Sequence, residues 1–342
     1  MNETIGALIC ATGGIAGAVF ALPFRGIRGM KYESYWLVYA IAGLVVFPLV
    51  TAWTACPPLF RIIAEAEPSA LWRAIGFGAM WGVGGLTWGL MIRYLGIGLG
   101  LALGCGLCSA TGTLIPPIVQ GRASDLVKDA AAVVTLASVF VSLVGIALVG
   151  GAGKLKEGEL SEEEKRKAVK DFDFRKGIVV ALFSGITSAG INFGLQSGAS
   201  MEQAAAAAGV DSKWIGMPVL VVVLWGGFVV NVAWCLWQNA RNRSFGDYRA
   251  GLRAVSPIAL AALAGVIWAM QFVCQKVGEP AMGEMRYISF AIVLGSCVLF
   301  SSLLGILLGE WRGTKARTKV VLALGLLVLA LSIGIAVFAK FI

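Results

Sequence analysis

Two tryptophans seven residues apart, Trp81 and Trp88, stand in an apolar run otherwise crowded with glycine: WGVGGLTWGLMIRYLG, Trp81–Gly96. A third, Trp268, lies well inside a later apolar run, with Gln271 and Gln275 on the same helical face. Ser184, Ser188, Asn192 and Gln196 recur every four residues in another run. A buried indole N–H wants a partner. Amides at membrane depth are costly unless they pair with neighbours or line a wet cavity. Aromatic rings stack on the apolar C–H faces of a sugar, whose hydroxyls need polar partners. The pattern suits a neutral, hydroxyl-rich ligand better than an ion. The candidate binding residues are Trp81, Trp88, Asn192, Gln196, Trp268 and Gln271. Packing between helices, with hydrogen bonds across them, is the competing reading of the same side chains.

Other chemistry is sparse. The chain has no histidine, which removes the commonest general base and metal ligand. It shows no phosphate-binding loop, no HExxH and no serine–histidine arrangement. No enzyme, cofactor or metal is implied. A proton relay would have to use carboxylates, and the candidates are Glu33 and Glu284, each at the entry to an apolar run. A solvated place at the rim is the simpler reading of both. Cys105 and Cys108 form a CxxC, but within an apolar helix, where small packing residues are expected.

These residues sit in a chain of 342 that is 58% hydrophobic and only 14% charged. Soluble domains carry about a quarter charged residues, so the composition is that of a polytopic membrane protein in a lipid bilayer. The net charge of +9 lies in short segments between apolar runs. There Lys and Arg set orientation and meet anionic lipid, and nucleic acid is not expected.

Ten runs are long enough to span: 5–24, 35–55, 71–92, 95–117, 130–151, 177–197, 214–238, 256–275, 287–309 and 319–340. The third and fourth meet at Arg93–Gly96 with almost no loop. Met1–Thr4 lacks the basic region of a signal peptide, so the first run reads as a span. Basic loops follow the odd-numbered spans, which places them in the cytoplasm and both termini outside. The polar segment Lys154–Lys176 reads as a solvated cytoplasmic linker between two five-span halves. Five is odd, so the second half enters from the opposite side. The expected fold is an all-α membrane protein with ten transmembrane helices as two inverted five-helix repeats, 1–153 and 177–342, joined by 154–176. Such repeats place substrate near the midplane. Gly78, Gly82, Gly85 and Gly89 line one face of the third span and predict close helix packing.

The stretch FGAMWGVGGLTWGLMIRYLGIGLG (Phe77–Gly100) resembles the third and fourth spans of the bacterial L-rhamnose–proton symporter family, within the drug/metabolite transporter superfamily. The likeness extends to LPFRGIRGMKYESYW (Leu22–Trp36), SAGINFGLQ with EQAAAAAGVD (Ser188–Asp211), WAMQF (Trp268–Phe272), YISF (Tyr287–Phe290) and EW (Glu310–Trp311). It implies ten helices in two inverted halves and uptake of a 6-deoxy sugar with protons. By matching position it also implies substrate-facing roles for Trp81, Trp88, Asn192, Trp268 and Gln271, and places Glu33 in a shared motif. Enterobacterial members carry a histidine in the first span. Here Ile9–Gly14 offers only Thr12 as a polar residue, so that position does not supply the coupling group. The expectation is a sugar–proton symporter of the bacterial inner membrane. An exporter or exchanger of another small metabolite in the same superfamily is the alternative.

Overall fold

The computed structural model describes residues 3–119, 121, 124, 127–161, 163, 164, 169, 171–249, 256–282 and 289–338. Among them there is no strand. The helices are α1 (Glu3–Val19), α2 (Tyr32–Ala40), α3 (Phe47–Ala55), α4 (Leu59–Ala64), α5 (Pro68–Leu95), α6 (Ile97–Val119), α7 (Ala130–Glu159), α8 (Phe174–Ser188), α9 (Gly190–Ser197), α10 (Ala199–Ala207), α11 (Met217–Asn242), α12 (Ser256–Gly278), α13 (Ser289–Leu307) and α14 (Ala316–Phe338). A π-helical turn, Ile41–Val46, joins α2 to α3. Pro48 follows it; its ring has no N–H and crowds the carbonyl four residues back, which widens the turn.

Eight helical segments among the described residues are long and apolar enough to cross a membrane. Two more apolar stretches, Ile97–Gly112 within α6 and Ile292–Leu307 within α13, are shorter. By length and composition, eight candidate spans are thus found among the described residues, and the ten read from sequence are not confirmed. One of the eight, Phe174–Ala207, is built from α8, α9 and α10 in succession.

The chain forms two compact units, each drawing helices from both sequence halves. The first comprises Met1–Gly85 and Gly190–Met282. Its helices approach closely through glycine, because lipid supplies no hydrophobic drive between them and backbone packing must substitute. A Cβ on Gly13 of α1 would lie 2.8 Å from the Gln271 carbonyl oxygen of α12. One on Gly82 of α5 would lie 2.7 Å from Gly227 of α11, and Gly78 presses on the Val223 backbone. Gly85 is different, since a Cβ there would meet only Trp81, at 4.0 Å. Two of the four aligned glycines therefore pack against α11, and Gly89 belongs to the other unit.

The second unit comprises Leu86–Ala189 and Gly283–Ile342. Its α5 ends at Leu95 and its α6 starts at Ile97, so a single residue turns the chain. That residue is Gly96, with φ +87°, a conformation side chains rarely adopt. The Glu310 carboxylate fills the space a side chain would need and accepts hydrogen bonds from the N–H groups of Ile97 (2.8 Å) and Gly98 (3.1 Å). It caps α6 with negative charge where the helix dipole favours it.

α7 runs six residues into the segment read as linker, and Lys156 there is fully buried, its ammonium 5.0 Å from the rings of Phe172 and Trp311. Asp173 caps α8. The backbone N–H of Lys176 and its ammonium hold the Asp173 carboxyl below its usual range. Cys105 of α6 donates to Cys297 of α13 at 3.6 Å, and all seven cysteines are free.

Candidate functional site

Trp81 and Trp268 come together in the first unit. Their rings stack at 5.3 Å between centroids and 22° between planes. Phe272, one turn beyond Trp268 on α12, meets both rings edge-on. Tyr39 of α2 lies edge-on to Trp268 at 5.9 Å. Because the indoles stack on each other, each offers a ligand at most one free face. Trp81 is only 5% exposed, and a Cβ on Gly227 would collide with its ring. Packing therefore holds much of Trp81, and Trp268, which is half-buried, is the more available wall.

Hydrogen bonding separates the candidates further. Tyr39, Trp81 and Gln271 are 4%, 5% and 8% exposed, so none lies on the outer surface. Among the described residues the Tyr39 hydroxyl, the indole N–H groups of Trp81 and Trp268, and the amides of Asn192 and Gln271 make no hydrogen bond. Nor are they among the described atoms sealed from solvent without a partner, which are Lys156 Nζ, Tyr248 Oη, Gln275 Oε1 and Ser302 Oγ. These five groups therefore face accessible space while belonging to membrane-spanning segments. Polar groups in that situation line a wet cavity or a ligand site.

Trp88 behaves otherwise. It lies in the second unit, and its Nε1 donates to Ser188 Oγ at 2.7 Å. The preceding residue, Thr87, shares a 2.5 Å hydrogen bond with Ser184, one turn before Ser188. The two serines of the four-residue stripe are thus joined to α5 as helix-to-helix hydrogen bonds. α8 ends at Ser188 and a turn at Ala189 precedes α9, so the stripe does not continue as one helix. Asn192 is half-buried and Gln196 is exposed.

Glu33, read as a solvated rim residue, is 5% exposed. Its Oε1 accepts from Asn242 Nδ2 (2.9 Å) and Ser244 Oγ (2.8 Å). It ties the start of α2 to the end of α11, because these donors compensate the buried carboxylate. Glu284 lies outside the described residues. Sequence reasoning passed over Asn231, which is 2% exposed; it accepts from Trp36 Nε1 (2.9 Å) and donates to the Gly227 carbonyl (2.8 Å). It also passed over Lys276, a cation buried between Glu202 Oε1 (2.9 Å) and Glu279 Oε2 (3.0 Å). Its signal was available: Lys276 is a charge in the last turn of an apolar span.

Residues 1–339 match the model of the L-rhamnose-proton symport protein (RhaT) family. The chain belongs to that family. The L-rhamnose-proton symporter of Cronobacter sakazakii is 32% identical over 337 residues, covering 97% of this chain and 96% of the relative. The one from Yersinia pestis (strain Pestoides F) is 29% identical over 343 residues, covering 98% of each. No solved structure matches. Members of the L-rhamnose-proton symport protein family are transporters, not enzymes. With eight long apolar helices, this member is a multi-pass membrane protein.

Proposed function

We propose that this protein takes up a small neutral 6-deoxy sugar, L-rhamnose, together with protons across the bacterial inner membrane. One observation carries the substrate class. The aromatic cluster of the first unit holds Tyr39, Trp81, Trp268 and Gln271 with polar atoms that no described residue satisfies. Aromatic faces beside unmet donors and acceptors suit a sugar: the rings cover its C–H faces, and the amide and phenol bind its hydroxyls. A bare cation would call instead for converging carboxylates or carbonyls. Trp268 and Gln271 are the central binding residues, Trp81 buttresses the stack, and Asn192 contributes a further amide. The family match and its named relatives support L-rhamnose within that class and protons as the coupling ion. In the same reading, the eight long helices and two shorter stretches make ten spans as two inverted five-helix repeats, with both termini outside.

The test is external pH in an unbuffered, de-energised suspension of cells expressing the protein, on addition of L-rhamnose. The expected result is a transient alkalinisation absent from control cells, with labelled L-rhamnose accumulating once the cells are energised. Accumulation without a pH change removes the proton from the reading. Neither accumulation nor a pH change removes the sugar as well.

A further inference from the structure

The polar face of α12 does not stop at Gln271. Gln275 follows four residues later, and Glu279 four after that, just beyond the helix end at Gly278. The spacing keeps all three on one face. It puts Glu279 about 12 Å along the helix axis from Gln271, at 1.5 Å per residue. Gln275 is 2% exposed, and its Nε2 donates to Glu279 Oε1 at 2.8 Å. Its own Oε1 is sealed from solvent without a donor.

Beside it, the Lys276 ammonium bridges Glu279 on its own helix and Glu202 on α10. The start of α11 closes over this bridge. A Cβ on Gly216 would lie 2.7 Å from Lys276 Cδ and 3.4 Å from Glu202 Oε1. Among the described residues, the cluster also neighbours Cys10 of α1, whose Sγ lies 3.9 Å from the Gln275 carbonyl, and Cys274 of α12 itself. The pair therefore joins two helices by charge, away from bulk water, in a protein that has no histidine to do the same work.

We infer that Glu202 is the group that accepts and releases the transported proton, an inference that rests on the proton-coupled reading above. Pulling Lys276 away from the negative charge of an ionised Glu202 breaks a buried ion pair, which is strongly unfavourable. A proton from outside water, delivered by hydronium, forms an O–H bond on the Glu202 carboxyl and removes that charge. Lys276 then stays paired with Glu279, and its ion pair with Glu202 no longer holds α10 to α12. Loss of the proton to inside water restores the bridge. Movement of α10 against α12 becomes conditional on protonation, and the Gln271–Gln275–Glu279 face carries that condition to the sugar-binding residues.

The test uses the full-length protein in liposomes and compares wild type with Glu202→Gln. Two properties are read: exchange of labelled for unlabelled L-rhamnose, which needs no net proton movement, and accumulation driven by an imposed pH gradient. The expected variant retains exchange and loses both accumulation and rhamnose-driven proton entry. A variant that still accumulates L-rhamnose with proton entry overturns the inference. Should the variant lose exchange as well, the wild-type protein decides. Dicyclohexylcarbodiimide modifies protonated carboxyls buried in apolar surroundings, and its adducts are located by mass spectrometry. Adducts on Glu202 at mildly acidic pH that fade at alkaline pH support the inference; their absence throughout overturns it. Wild-type protein inert to L-rhamnose would sink the substrate reading, while the same carbodiimide mapping would still judge Glu202.

Discussion

Trp81 and Trp88 look equivalent in the sequence, seven residues apart on one helix, yet their surroundings are opposite. Trp88, in the second unit, gives its indole N–H to Ser188, next to the Thr87–Ser184 bond. Trp81, in the first, stacks on Trp268 and leaves its N–H unpaired among the described residues. The contrast extends to amides: Gln271 is buried and unpaired among the described residues, whereas Asn231 on α11 is buried and fully engaged. Satisfied polar groups hold helices together. Unsatisfied ones that still face accessible space are available to a ligand. In a membrane protein the position of a polar residue says less about its role than whether the protein has already used its hydrogen bonds.

That contrast breaks most sharply at Gln271. Gln271→Leu keeps the volume and removes the amide. A site built to hydrogen-bond a substrate discriminates strongly once that bond is lost, so L-rhamnose uptake at low concentration should fall by about 10- to 100-fold or more. Membrane yield should stay at the wild-type level. Unchanged uptake would remove Gln271 from the site. Gly227→Ala tests the packing side of Trp81. The added methyl collides with the indole, and overpacking of this kind costs about 1–3 kcal/mol. The melting temperature in detergent should drop, and uptake should fall with it as the Trp81–Trp268 stack shifts. Trp88→Phe should have the smallest effect. It deletes one interhelical hydrogen bond, worth about 0.6 kcal/mol in membrane proteins, and should lower the melting temperature slightly while sugar affinity holds. A marked loss of affinity in this variant would erase the distinction between the two tryptophans.

Much of the architecture was readable because its causes are local. Apolar run length marked the spans, and the near-absence of a loop at Arg93–Gly96 became the one-residue turn at Gly96. The glycine face predicted close packing, which Gly78 and Gly82 supply against α11. The misreadings have long-range causes. Glu33 looked solvated because its two donors, Asn242 and Ser244, lie more than two hundred residues away. The serine–amide stripe looked continuous because nothing local announces the break at Ala189. Lys276 and Glu202 are 74 residues apart, and only the fold makes them a pair. Whether a polar side chain is already occupied depends on partners that no spacing rule can name.

The turn at Gly96 has a mechanical side. A longer loop would act as a slack cable, letting α6 shift without moving the end of α5. One residue, clamped by the Glu310 carboxylate on the first two N–H groups of α6, leaves no slack. Through that elbow α5 and α6 behave as a single bent rod: any displacement of the first turn of α6 is delivered directly to the last turn of α5. A flexible peptide inserted there would uncouple the two helices as surely as cutting a push-rod.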